Sequence, residues 1–185
     1  MTQFSNNQSQ KRKIGVFIDG ANLWHCQKRN GWRIDFYKLK KYLSQRGEIK
    51  GLYYFTPEIR HLKKILAVLD KLGYTIIKKP LKKIKLRTDS KTKKFKTKGN
   101  LDMEMGLMMV AQTEFYDEFI IMTGDSDFEI VVESLKKKGK NVIVISNRDS
   151  LSREMRKASN SVVYLHKIKK EIKYKIKNPP KRALS

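Results

Sequence analysis

Ile14-Gly15-Val16-Phe17-Ile18-Asp19-Gly20-Ala21-Asn22 is an apolar, β-branched run that stops abruptly on an acid. A short run of this kind without polar alternation is what a strand covered on both faces requires. Four more recur at 51–55, 74–77, 119–122 and 142–145. Between them lie stretches of helical period: 35–45 with Phe36, Leu39 and Leu43; 58–72 with Leu62, Ile65, Leu66 and Leu69; 101–111 with Met105, Met108 and Met109; and 128–138 with Val131, Val132 and Leu135. Gly73 and Gly139 stand where helix C-caps belong. Strands alternating with helices of this length imply βαβ units. The expected architecture is therefore an α/β fold, an open, mostly parallel five-stranded sheet with helices on both faces. Residues 162–164 are a candidate short sixth strand.

The 185 residues suit one domain of roughly 100 to 200 residues. Apolar residues make up 39%, enough for a packed core. Lys and Arg total 42 against 18 acids, a formal charge of +24, far more than solubility requires. A polyanionic partner follows from that balance. Basic residues are spread along the whole chain instead of decorating one amphipathic helix, which favours nucleic acid over a membrane surface. The single cysteine, Cys26, cannot form an internal disulfide, and one Cys with three His gives no zinc-finger spacing. The polar first residues contain no signal-like apolar segment, and the longest apolar runs fall far short of the ~20 residues of a membrane span. A soluble, cytoplasmic protein with no membrane partner is expected. Neither G-x-x-x-x-G-K-[ST] nor G-x-G-x-x-G occurs, so no nucleotide cofactor is expected.

Along the chain, residues 1–12 read as a disordered polar and basic lead-in, 13–170 as the domain, and 171–185 as a basic tail. The segment 78–98 breaks the rhythm, with eleven Lys or Arg against Asp89 alone. It reads as a basic hairpin or loop insertion. The stretch 167–182 is similar, with eight basic residues against Glu171. Both are expected to lie outside the core. Lys83, Lys85, Lys93, Lys94 and Lys98, with Arg148, Arg153 and Arg156, are the candidate phosphate contacts to substrate. Tyr53, Tyr54 and Phe55 read as strand residues, with base stacking as the lesser alternative.

Ligands of parallel α/β sheets collect beyond the carboxyl ends of the strands, and the acids of this chain collect at those ends too. The first strand runs into Asp19, with Asn22 three residues on; the fourth runs into Thr123-Gly124-Asp125-Ser126-Asp127; the helix between them opens as Asn100-Leu101-Asp102-Met103-Glu104. Carboxylate oxygens gathered in this way suit a hard cation, Mg²⁺ or Mn²⁺. Capping is the competing explanation. Ser126-x-x-Glu129 fits a capping box, and acids behind Asn100 complement a helix dipole. Asp19 is harder to explain as a cap, because a carboxylate ending a buried strand is costly unless paired or metal-bound.

These three segments, Val16–Asn22, Lys98–Glu104 and Thr123–Phe128, resemble the motifs of the NYN domain family, LabA-like branch, within the PIN-like nuclease superfamily. The resemblance implies a Rossmann-like sheet of strand order 3-2-1-4-5 and a metal-dependent ribonuclease that uses Mg²⁺ or Mn²⁺. It places Asp19, Asp102, Asp125 and Asp127 on the catalytic metal site, with Asn22, Glu104, Thr123 and Ser126 as supporting polar groups. RNA, or another nucleic acid, is the implied partner, and hydrolysis leaves a 5′-phosphate and a 3′-hydroxyl. The alternative is a non-catalytic RNA-binding module of the same fold with a structural or idle metal site. A phosphatase of the haloacid dehalogenase type also ends its first strand on Asp, but it needs a second acid two residues later, where this chain has Ala21.

Overall fold

All five apolar runs become strands of one parallel sheet in the computed structural model, which describes residues 11–85, 95–98 and 100–175. In chain order the elements are β1 (Lys13–Asp19), α1 (Gly20–Asn30), α2 (Phe36–Leu43), β2 (Glu48–Glu58), α3 (Lys63–Lys71), β3 (Thr75–Pro80), β4 (Lys82–Lys85), β5 (Phe95–Lys98), α4 (Asp102–Ala111), β6 (Glu118–Met122), α5 (Glu129–Lys137), β7 (Asn141–Ser146), α6 (Arg153–Ala158), β8 (Ser161–Tyr164) and α7 (Lys169–Ile172). Gly73 and Gly139 end their helices with φ of 82° and 73°.

The main sheet has six strands, in the order β3-β2-β1-β6-β7-β8, so the expected five-stranded sheet is corrected by one. The added strand, β8, pairs in parallel with β7 through Ile143↔Ser161 to Ser146↔Tyr164. It is an edge strand, partly exposed along its length, so it lacks the continuous apolar run that marks the others. The strand pairs of this sheet are parallel, and the order reverses between β1 and β6. A separate antiparallel pair, β4 with β5, forms a hairpin in register Lys82↔Lys98 to Lys85↔Phe95. The basic stretch begins earlier, since Lys78 and Lys79 belong to β3.

Period-two alternation along the strands divides the core between two faces. Ile14, Val16, Ile18, Ile120, Met122, Ile143 and Ile145 face α1, α2, α3 and α7, packing on Leu23, Cys26, Leu39, Leu43 and Leu69. Phe17, Phe119, Ile121, Val142 and Val144 face α4, α5 and α6, packing on Met105, Met109, Val132, Leu135 and Met155. The methionines of α4 thus serve the core, as their helical spacing suggests. Tyr54 and Phe55 are buried, and Tyr53 shares a hydroxyl hydrogen bond of 2.9 Å with Tyr116, so this trio packs as strand residues.

The basic tail also differs from expectation. Ile168 and Ile172 are buried in the first of these two core layers, and Tyr174 N–H donates to the Arg33 carbonyl at 2.8 Å. Two isoleucines spaced four apart gave the segment an apolar stripe that its lysines concealed. Among the described residues no helix is long and apolar enough to cross a membrane.

At the amino end of the sheet, the Glu118 side chain has no solvent exposure. Its carboxylate accepts from Arg46 Nε at 2.8 Å, Arg12 Nη1 at 2.9 Å and Asn141 Nδ2 at 2.6 Å. Burial pushes this carboxyl upward, but the bonds from Arg46, Asn141 and Arg12 outweigh it and hold it below its usual range. The carboxyl end of the sheet is built in the opposite way.

Candidate metal centre

β1 and β6 are in register through Ile18↔Met122, so the next residues, Asp19 at the end of β1 and Thr123 just past β6, emerge side by side at the point where strand order reverses. Thr123 Oγ1 donates to Asp19 Oδ2 at 3.2 Å, and Asp125 N–H donates back to Thr123 Oγ1 at 3.4 Å. The other Asp19 oxygen, Oδ1, accepts from the N–H groups of Ala21 and Asn22, each at 3.0 Å, which makes Asp19 the N-cap of α1. Glycine is needed in the loop after β6, because a Cβ on Gly124 would lie 1.9 Å from the Ser150 carbonyl oxygen. That close approach is closed by Ser152 N–H donating to the Gly124 carbonyl at 2.9 Å.

Asp102, Asp125 and Asp127 converge here: one carboxylate oxygen from each lies within 4.8 Å of the others. Asp102 opens α4, whereas Asp125 and Asp127 sit in the loop and 3-10 turn after β6. Asp19 lies outside that tight trio but lines the same open cleft of about 380 Å³ as Asp102 and Asp125. Burial raises the Asp19 carboxyl, with bonds from Asn22, Thr123 and Ala21 working against it and the Asp125 charge adding to it. Asp102 is raised by burial too; the Asn100 side chain opposes, and the charges of Asp19, Asp125 and Asp127 push further up. Mutual repulsion among carboxylates is relieved by a cation, and a set of hard oxygen donors fits Mg²⁺ or Mn²⁺ better than a soft metal.

The supporting residues divide. Asn22 and Thr123 are at the site, as described, and Asn22 also lines the cleft. Glu104 points elsewhere: it pairs with Lys79 of β3, which lowers its carboxyl below the usual range. Two residues along a helix turn the side chain by about 200°, so Asp102 and Glu104 cannot share a target. Ser126 does not form the capping box that competed with its role as a supporting group. Asp125 caps that turn instead, its Oδ1 accepting from Asp127 N–H at 3.1 Å, and Phe128 precedes α5 without any side-chain cap. Asn100 does cap, accepting from Asp102 N–H at 2.9 Å.

Among the basic candidates, Lys83, Lys85 and Lys98 lie on the β4–β5 hairpin, while Lys93 and Lys94 fall outside the described residues. Leu81 and Asn100, which flank the hairpin, both line the cleft, so the hairpin departs from its rim. Arg148, Arg153 and Arg156 are exposed on the turn and helix that follow β7. Sequence reasoning missed His25, Phe55, Pro57 and Leu81 as cleft residues. No local pattern marks them, since they meet only through the crossovers.

The family model described as NYN domain matches residues 13–166. The chain is 31% identical over 161 residues to "Low amplitude and bright protein LabA" of Synechococcus elongatus, covering 85% of this chain and 86% of that protein. A crystal structure of a protein of unknown function from Vibrio parahaemolyticus superposes with a TM-score of 0.73 at 19% identity, covering 94% of this chain and all of that one. The structural likeness speaks to the fold alone.

Proposed function

The chain belongs to the NYN domain family, and from that premise we propose that it is a metal-dependent ribonuclease that hydrolyses phosphodiester bonds at the aspartate cleft. One observation carries the proposal: Asp102, from the crossover helix, meets Asp125 and Asp127, from the loop after β6, within 4.8 Å. Helix capping accounts for an acid at either place, but gives no reason to bring three carboxylates together at a cost in repulsion.

Asp102, Asp125 and Asp127 would hold the ion, with Asp19 beside them. A Mg²⁺ or Mn²⁺ ion bound there supplies a water of lowered pKa and neutralises charge at the phosphodiester. Asp19 is oriented by hydrogen bonds from Ala21, Asn22 and Thr123 and lines the cleft. The hairpin leaving the rim, together with Arg148, Arg153 and Arg156, contributes sequence-independent phosphate contacts. In the net reaction the water oxygen bonds to phosphorus and the bond to the 3′ oxygen breaks, giving a 5′-phosphate and a 3′-hydroxyl.

A non-catalytic RNA-binding module is the second reading, and one observation favours it: both Asp19 oxygens are already engaged by protein donors. Analysis of product ends separates the two. Purified protein with Mn²⁺ is expected to give 5′-phosphate ends from a mixed RNA panel; cyclic phosphate ends would reject metal-dependent hydrolysis, and intact RNA would reject the nuclease reading in favour of the binding module.

A further inference from the structure

Helix α1 starts at Asp19 and is tied farther along to the turn after β7: Arg29 Nη1 donates to Ser150 Oγ at 3.3 Å, and Asn30 Nδ2 donates to Asn147 Oδ1 at 2.8 Å. It therefore lies across the carboxyl edge of the sheet, beside the cleft. Ala21, Trp24, His25 and Lys28 recur at the three- and four-residue spacing of a single helix face, and all four are exposed. Leu23 and Cys26 bury the opposite side.

Trp24 is 48% exposed, although tryptophan is usually well buried. Lys28 Nζ lies 5.3 Å from the centre of its ring, and the His25 ring meets it edge-on at 4.8 Å. His25 and Ala21 also line the aspartate cleft, so the aromatic face continues directly into it. The helix carries Lys28 and Arg29 and no acid. Other aromatic residues are exposed too, among them Tyr37, Phe115 and Tyr174, but none of these lines the cleft.

We propose that this face of α1 is a stacking and phosphate-contact platform that leads an unpaired stretch of RNA into the cleft. Trp24 takes the face of a base, and Lys28 takes the adjoining phosphate. An unpaired base has a free π-face, whereas the bases of a duplex are already stacked on both sides. The chemistry of an indole next to a cation, beside an acidic cleft, matches a strand whose bases and phosphates alternate. That the bound strand enters the cleft as substrate rests on the nuclease reading, but the platform itself is testable without cleavage.

Trp24 and Trp32 are the two tryptophans of the chain, and Trp32 is only 7% exposed. Stacking on Trp24 should therefore quench intrinsic fluorescence. The full-length protein is titrated in EDTA with a uridine dodecamer and, separately, with an RNA duplex of the same length. Quenching is expected with the single strand and not with the duplex, and Trp24→Phe should abolish it. Trp24→Ala should weaken single-strand binding about tenfold, with the melting temperature unchanged. Lys28→Ala should reduce the salt slope of binding by about 0.7. Equal quenching by duplex, or unaltered affinity in Trp24→Ala, would overturn the platform even if metal-dependent cleavage is observed. Quenching without any cleavage would uphold the platform and remove the nuclease reading.

Discussion

Replacing Asp102 with Asn should stabilise the metal-free protein while removing its response to metal. Asp102 shares a 4.8 Å neighbourhood with the carboxylates of Asp125 and Asp127. At that separation two unit charges repel by about 0.9 kcal/mol at the dielectric of water and about 3.5 kcal/mol at an effective value near 20. Asp127 is exposed, which favours the lower end. Loss of the favourable interaction with the α4 dipole opposes this by roughly 0.3 to 1 kcal/mol. The Asn100 cap survives, since it bonds the backbone N–H of residue 102. With two repulsive partners removed, a net gain of ~1 kcal/mol remains, or roughly 2–4 °C in melting temperature for a chain of this size. In Mn²⁺ at a hundred times its Kd, wild type should gain ~2.7 kcal/mol, about 5–10 °C, and the variant should lose most of that shift. Thermal melts in EDTA and in Mn²⁺ read both effects, and salt should shrink the gain seen in EDTA. A variant that melts lower in EDTA yet keeps the full Mn²⁺ shift would refute the cluster as a metal site.

At the other end of the sheet, Glu118→Gln should cost about 1–3 kcal/mol at neutral pH, because the charge-assisted bonds from Arg12 and Arg46 to a buried carboxylate are weakened, while the two half-exposed guanidiniums can turn to solvent. The folded-state carboxyl is held below its ordinary value of 4.5, so this stability is present above that pH and is lost as pH falls through the lowered value. Denaturation curves should therefore show the gap between wild type and variant closing in acid. Asp19 and Asp102 carry the opposite sign: raised above 3.8, they are more readily protonated in the folded protein, so acid stabilises the metal-free site and competes with Mn²⁺, whose apparent affinity should fall with pH. Charge reversal at Lys83, Lys85, Lys93 and Lys94 should weaken RNA binding by similar factors across sequences, with little change in melting temperature. For single-stranded RNA and an Asp19→Asn protein at constant Mg²⁺, log K should fall with log salt at a slope near −3.5 if about five phosphates are neutralised. Ending the chain after Lys175, which spares the buried Ile168 and Ile172, should lower that slope by one or more.

The central strands were legible because burial on both faces leaves no room for polar alternation, and β1, β6 and β7 are apolar almost throughout. β8 was faint for the converse reason: with one neighbour and partial exposure it needs fewer apolar residues. Helix α6 has six residues and α7 four, too short for a period to register. At the site, Asp19 and Asp125 could be read because Asp19 ends β1 and Asp125 lies three residues past the end of β6. Glu104 was misplaced because sequence proximity to Asp102 says nothing about its direction around the helix. His25 and Leu81 reach the cleft through α1 crossing the sheet edge and through the exit of the hairpin, and both depend on tertiary packing that local patterns do not encode.

Cleavage of single-stranded RNA by wild type, Asp19→Asn and Asp125→Asn, in Mn²⁺ and in EDTA, tests the account most directly. The cluster should act as a unit, so wild type is expected to cleave only with metal, and each variant should lose at least ~10²-fold in rate while keeping its fold and its RNA affinity. Cleavage that persists in EDTA, or variants that cut as fast as wild type, would contradict a metal-dependent reaction at these aspartates.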